Sequence, residues 1–165
     1  MVAFTYRMNQ GVPGDLTRPS NSTVEAQALN SSTPFTAFGA AGYMDSSGKF
    51  SPMTAATTAV QIYGFLVRPF PFQGANASDP LGTSVPRTSG LADVLRRGYI
   101  SVVLAAGTAL AGLNVYLRIA AGATGRPVGS IEAAPADPAN CILLTNAYFL
   151  SAADASGNVE IGFNI

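Results

Sequence analysis

Every second residue at the end of the chain is apolar: Val159, Ile161, Phe163 and Ile165 alternate with Glu160, Gly162 and Asn164. That period of two belongs to a strand with one face on a core, because successive side chains point to opposite sides of a pleated backbone. Val24, Ala26 and Ala28 alternate with Thr23, Glu25 and Gln27 in the same way and predict another half-buried strand. Val60 to Val67 is β-branched and aromatic, and Leu113 to Ile119 alternates again. Between such runs stand turn-formers such as Asp45-Ser46-Ser47-Gly48 and Asp154-Ala155-Ser156-Gly157.

With 35–44, 49–50, 99–104, 128–133 and 142–150 added, the reading is about eight strands at short spacing. Such a pattern predicts an all-β protein, a single β-barrel or jelly-roll-like sandwich. One short helix is expected at Ser89–Gly98. There Leu91, Val94 and Leu95 fall at i, i+3 and i+4, Arg96 and Arg97 lie in the last turn, and Gly98 would end it. Residues 1–21 carry Pro13, Pro19, Gly11 and Gly14 and read as an extended N-terminal arm. The β-rich domain is expected over 22–165.

Composition narrows the function. Charged residues make up 11% of the chain, against roughly 25% in an ordinary soluble domain. A surface so poor in charge suits a component of an assembly. The nine basic and nine acidic residues cancel and form no basic stripe, which argues against nucleic acid as a partner. Eight of the nine bases are arginine, which tolerates interfaces better than lysine does.

There is no histidine. Triads built on histidine and most zinc sites are therefore excluded, and Cys141 has no base to activate it. No phosphate-loop, dinucleotide or nucleophile-elbow motif occurs, and the glycines of 122–129 lack the Lys-Ser/Thr pair of a phosphate cradle. No two carboxylates are brought together by spacing. The expectation is a chain without catalytic residues, cofactor or metal.

No signal peptide is visible at the N-terminus. The uncharged stretch Gly98–Leu117 is long enough to cross a bilayer, but its three glycines, Ser101, Thr108 and Asn114 argue against a membrane span. Phe70 and Phe72, between Pro69 and Pro71 and next to Arg68, form a loop that could anchor on a partner or close the end of a barrel.

Two regions carry a family likeness. The segment Tyr6–Arg18 (YRMNQGVPGDLTR), followed by the strand at Val24-Glu25, resembles the N-terminus of tailed-bacteriophage capsid cement (head decoration) proteins. So do Gly90–Val102, Val115–Arg118, Pro127–Gly129 and Asn158–Ile165 in the distal half. The resemblance implies a structural, non-enzymatic protein of the virion, made in the host cytoplasm and placed on the capsid exterior. Its partners would be the major capsid protein and itself, as homodimer or homotrimer. Arg7, Asn9 and Arg18 of the arm, with Arg68, Phe70 and Phe72, are the candidate capsid contacts. The alternative is a carbohydrate- or receptor-binding β-module of a fibre or adhesin, weakened by the lack of tryptophan.

Overall fold

A computed structural model describes residues 11–55, 61–69, 85–135 and 137–165. They form nine strands: β1 Thr23–Ala28, β2 Ala41–Met44, β3 Phe50–Pro52, β4 Ile62–Leu66, β5 Leu91–Ala106, β6 Asn114–Arg118, β7 Ile131–Glu132, β8 Cys141–Phe149 and β9 Asn158–Phe163. Helical pieces among the described residues are short 3-10 turns, such as Pro19–Asn21 and Pro138–Asn140. The all-β expectation is met.

The topology has two parts that share β5. In one part β5 pairs with β7, β7 with β6, β6 with β8, β8 with β9, and β9 returns to β5, so the strands close into a barrel. All those pairings are antiparallel except β5 with β7. In the other part the N-terminal half of β5 lies between β1 and β4, and β2 and β3 continue the sheet beyond β4. Closure buries backbone pairing groups on both sides of the barrel strands, which would otherwise be open edges.

The expected helix at Ser89–Gly98 is not formed; Leu91 onward is strand. Val94 and Leu95 are both fully buried, on opposite faces, which a helix cannot arrange for adjacent residues in two separate cores. Val94 packs with Phe50 and Leu66 in the smaller cluster, and Leu95 with Phe65, Ile100 and Phe163 in the larger one. β1 and β4 supply pairing partners on both edges, so tertiary pairing overrides a short helical spacing. Gly98 marks the bend between the two halves of β5. Its φ is +131°, and a Cβ there would stand 2.2 Å from Ser22 Oγ.

Phe65 and Phe163 join the two parts edge to face, with ring centroids 5.1 Å apart. Each of Phe50, Phe65, Phe149 and Phe163 is withdrawn from water, at about 2–3 kcal/mol for each side chain. Two hairpin turns reuse one device. Asp45 Oδ1 accepts from the N–H groups of Ser47 (2.8 Å) and Lys49 (3.0 Å), and Asp154 Oδ1 from those of Ser156 and Asn158 (both 2.9 Å). Those backbone donors hold the Asp45 carboxyl below its ordinary pKa, against the opposing effect of desolvation.

One predicted strand differs in character. β1 is present, but every residue in it except Gln27 is exposed, where the alternation predicts one buried face. The alternating apolar residues Val24, Ala26 and Ala28 belong to neither core cluster and stay exposed. No helix among the described residues is long and apolar enough to cross a membrane; the stretch Gly98–Leu117 is part of β5, a turn and part of β6.

Candidate interaction surface

The segment from Gly11 to Arg18 runs along β5 of its own chain. Gly14 donates to Ser101 O (2.8 Å), Ser101 donates to Asp15 O (2.9 Å), and Thr17 donates to Tyr99 O (3.3 Å). Leu16 packs against the larger core. The second half of the expected arm is thus a strap on the domain.

Two of the candidate contact residues are the clasps of that strap. Arg18 stacks over the Tyr99 ring at 4.2 Å and pairs with Glu160 at 3.2 Å, while Thr17 Oγ1 donates to the same carboxylate at 2.6 Å. Arg68 Nε donates to Pro13 O at 3.0 Å, and its guanidinium lies 4.5 Å from the centre of the Phe38 ring. Burial lowers the Arg68 pKa, with the nearby Asp15 acting in the other direction. Both arginines therefore spend their forks inside the chain. Arg7, Asn9, Phe70 and Phe72 lie outside the described residues.

Two further charged clusters escaped the sequence reading. On one face of β1, Glu25 accepts from Tyr63 Oη, Gln27 donates to that hydroxyl at 2.8 Å, and Arg96 lies 3.6 Å over the Tyr63 ring. The hydrogen bond to Glu25 raises the Tyr63 pKa. The only sequence signal was the i, i+2 spacing of Glu25 and Gln27.

In the barrel, Glu132 is completely buried between Arg118 and Arg126, each with a nitrogen 2.7 Å from a carboxylate oxygen. Arg126 reaches back from the loop between β6 and β7, so the triad staples that loop to the barrel. Burial alone would raise the Glu132 pKa, but the bonds from Arg126 and Arg118 outweigh it and hold the group ionised. Burial pushes the nearby Cys141 thiol up, away from the reactive thiolate.

No arrangement for catalysis emerges from these groups. An apolar groove of about 460 Å³ is lined by Phe35, Phe38, Met53, Val103, Val128 and Ile131, with no charged side chain among its described lining residues. Among the described residues, no group of three or more His, Cys, Asp or Glu could hold a metal ion. The described phenylalanines are buried and the described tyrosines half-buried. The described surface also carries large exposed apolar side chains, among them Val85, Leu91 and Leu110, which suit contact with other proteins.

Comparison with known proteins agrees. The family model described as XM1 gp53 minor capsid protein matches residues 1–163. No curated protein matches the chain. A chain of a solved structure titled "The capsid of Myoviridae Phage XM1" is similar with a TM-score of 0.65 and 18% identity, over 99% of this chain and 98% of that one. At that identity the structural match speaks to the fold.

Proposed function

The chain belongs to the XM1 gp53 minor capsid protein family, and from that premise we propose that it is a cement protein, which binds the outside of the major capsid lattice and stabilises the head. The family match over nearly the whole chain carries this reading. The fold supports it: a small closed barrel with a strapped N-terminus is a rigid clip, and its charge-poor surface suits repeated protein contact. Stabilisation is mass action, since a clip that binds the assembled lattice and not its free subunits lowers the free energy of the lattice at each occupied site. Self-association as dimer or trimer adds avidity, because one bound subunit raises the local concentration of the next.

Co-sedimentation with empty expanded shells tests the proposal. The expected result is saturable binding, together with shells that resist heat better when decorated. Protein left in the supernatant at every concentration, with unchanged shell stability, would overturn it. Removing residues 1–10 leaves the β5 pairings of Gly14, Asp15 and Thr17 in place, so weaker binding by that variant would assign the contact to the first ten residues, including Arg7 and Asn9.

A further inference from the structure

Arg97 is an exposed arginine that the chain leaves unpaired. Arg18, Arg96, Arg118 and Arg126 each pair with a glutamate, and Arg68 is held by Pro13 and Phe38. The Arg97 side chain makes no hydrogen bond or ion pair with any described residue. It lines a polar pocket of about 440 Å³ together with Ser20, Asn21, Thr23, Tyr99 and Ile165, and no acidic side chain is among the described lining residues. Arg87 is also exposed but differs in its surroundings, because the small groove it lines includes Asp93.

The pocket stands at the bend of β5, and the chain fixes its walls. Thr23 lies opposite Arg97 in the pairing of β1 with β5. Beside them the Gly98 backbone comes so close to Ser22 that no Cβ would fit between. The Pro19–Asn21 turn is closed by Asn21 N–H donating to Arg18 O (3.0 Å) and Ser22 N–H to Pro19 O (3.2 Å). Ser22 Oγ also donates to Arg18 O at 2.9 Å, so its hydroxyl is engaged. The side chains of Ser20, Asn21 and Thr23 make no hydrogen bond with a described residue. A guanidinium, two hydroxyls and an amide therefore share one firmly held pocket, and binding there needs little further ordering.

We propose that this pocket takes a carboxylate side chain, Asp or Glu, from the protein lattice on which the chain sits. The Arg97 guanidinium offers two parallel N–H donors that match the two oxygens of a carboxylate. The hydroxyl and amide groups around it can donate to the lone pairs left over. Ile165, 42% exposed, lines the same pocket and supplies apolar contact that keeps water from the ion pair. Nucleic acid fits less well. A pocket with one cation neutralises a single phosphate, the chain's charges cancel overall, and duplex binding draws on several such contacts. That the partner is a capsid lattice rests on the proposed function; that it presents a carboxylate rests on the pocket.

The test compares binding to empty expanded shells by the parent chain, Arg97→Gln, Arg97→Lys and Arg87→Gln. Both arginines are exposed, so the variants should melt with the parent. The expected result is binding weakened about tenfold or more by Arg97→Gln. Arg97→Lys should lose less, since it keeps the charge without the fork. Arg87→Gln, which removes the same charge outside the pocket, should bind like the parent. Parent-like binding by Arg97→Gln, or equal losses from Arg97→Gln and Arg87→Gln, would overturn the pocket and leave the cement reading standing. Should the parent itself not bind shells, the cement reading falls, and amide shifts of the free chain on adding N-acetylglutamate amide decide the pocket. Shifts at Ser20, Asn21, Thr23 and Arg97 that the glutamine counterpart does not produce, and that Arg97→Gln abolishes, uphold it; their absence defeats it. Retention of a short DNA duplex by the parent and not by Arg97→Gln would overturn the assignment to a protein carboxylate.

Discussion

Arg118 Nε lies 2.7 Å from Glu132 Oε1, deep in the barrel wall, with only 3% of the arginine and none of the glutamate open to water. A pair so placed is weak evidence of net stabilisation, because withdrawing two charges from water costs several kcal/mol for each ion. Its consequence lies in what happens when one partner goes.

Glu132→Ala leaves two arginines facing each other over an empty carboxylate site. The expected loss of stability is about 3 kcal/mol, read as a lower urea midpoint with the slope of the transition unchanged. Replacing Arg118 and Glu132 together by Met and Leu should recover much of it. A double variant as unstable as Glu132→Ala would contradict this account.

Acid should act through the same carboxyl. Its pKa in the folded protein is below the ordinary 4.5, so its contribution is complete above that value and is lost as pH falls through the folded pKa. The stability difference between the protein and Glu132→Gln is therefore flat near neutrality and shrinks on acidification below about pH 4.5. Denaturation curves collected across pH would show the two lines converge; parallel lines would refute the assignment.

Gly98→Ala and Gly112→Ala separate crowding from backbone strain. Both residues have positive φ, at +131° and +83°. A Cβ at 98 collides with Ser22, while one at 112 meets nothing within 4 Å. Gly112→Ala should cost about 1 kcal/mol, and Gly98→Ala about 3 kcal/mol or more through collision at the bend of β5. Equal thermal shifts for the two would show that the corner is not sterically set.

Arg18→Ala should loosen the strap without melting the domain. The Arg18 side chain is 47% exposed, and pairs of that kind are worth no more than about 1 kcal/mol. Amide exchange at Gly14, Thr17 and Ser101 should quicken several-fold, with little change in the melting temperature. Unaltered exchange at those amides would remove the clasp role.

Much of this was legible because a half-buried strand writes its geometry into the sequence. The alternation at 159–165 and the D-x-S-G turns led directly to β9 and to the two capped hairpins. Leu91–Leu95 misled because Val94 and Leu95 are buried side by side on opposite faces while Leu91 is exposed, which breaks the period of two, and the two cores that demand Val94 and Leu95 lie far away in sequence. β1 misled for the opposite reason. Its alternation is real, yet no described element covers the apolar side, and sequence cannot say whether a partner comes from the same chain. Arg18 and Arg68 were singled out as outward contacts; their partners Tyr99, Glu160, Pro13 and Phe38 emerged only once the strap was laid on β5.

β5 serves as a wall of the barrel and as the middle strand of the open sheet. Melting either part strips the other of a neighbour, so partial unfolding exposes nearly as much apolar surface as complete unfolding. Calorimetry should then record one transition with matching calorimetric and van't Hoff enthalpies. In a proteolysis time course, fragments retaining half of the fold should not accumulate.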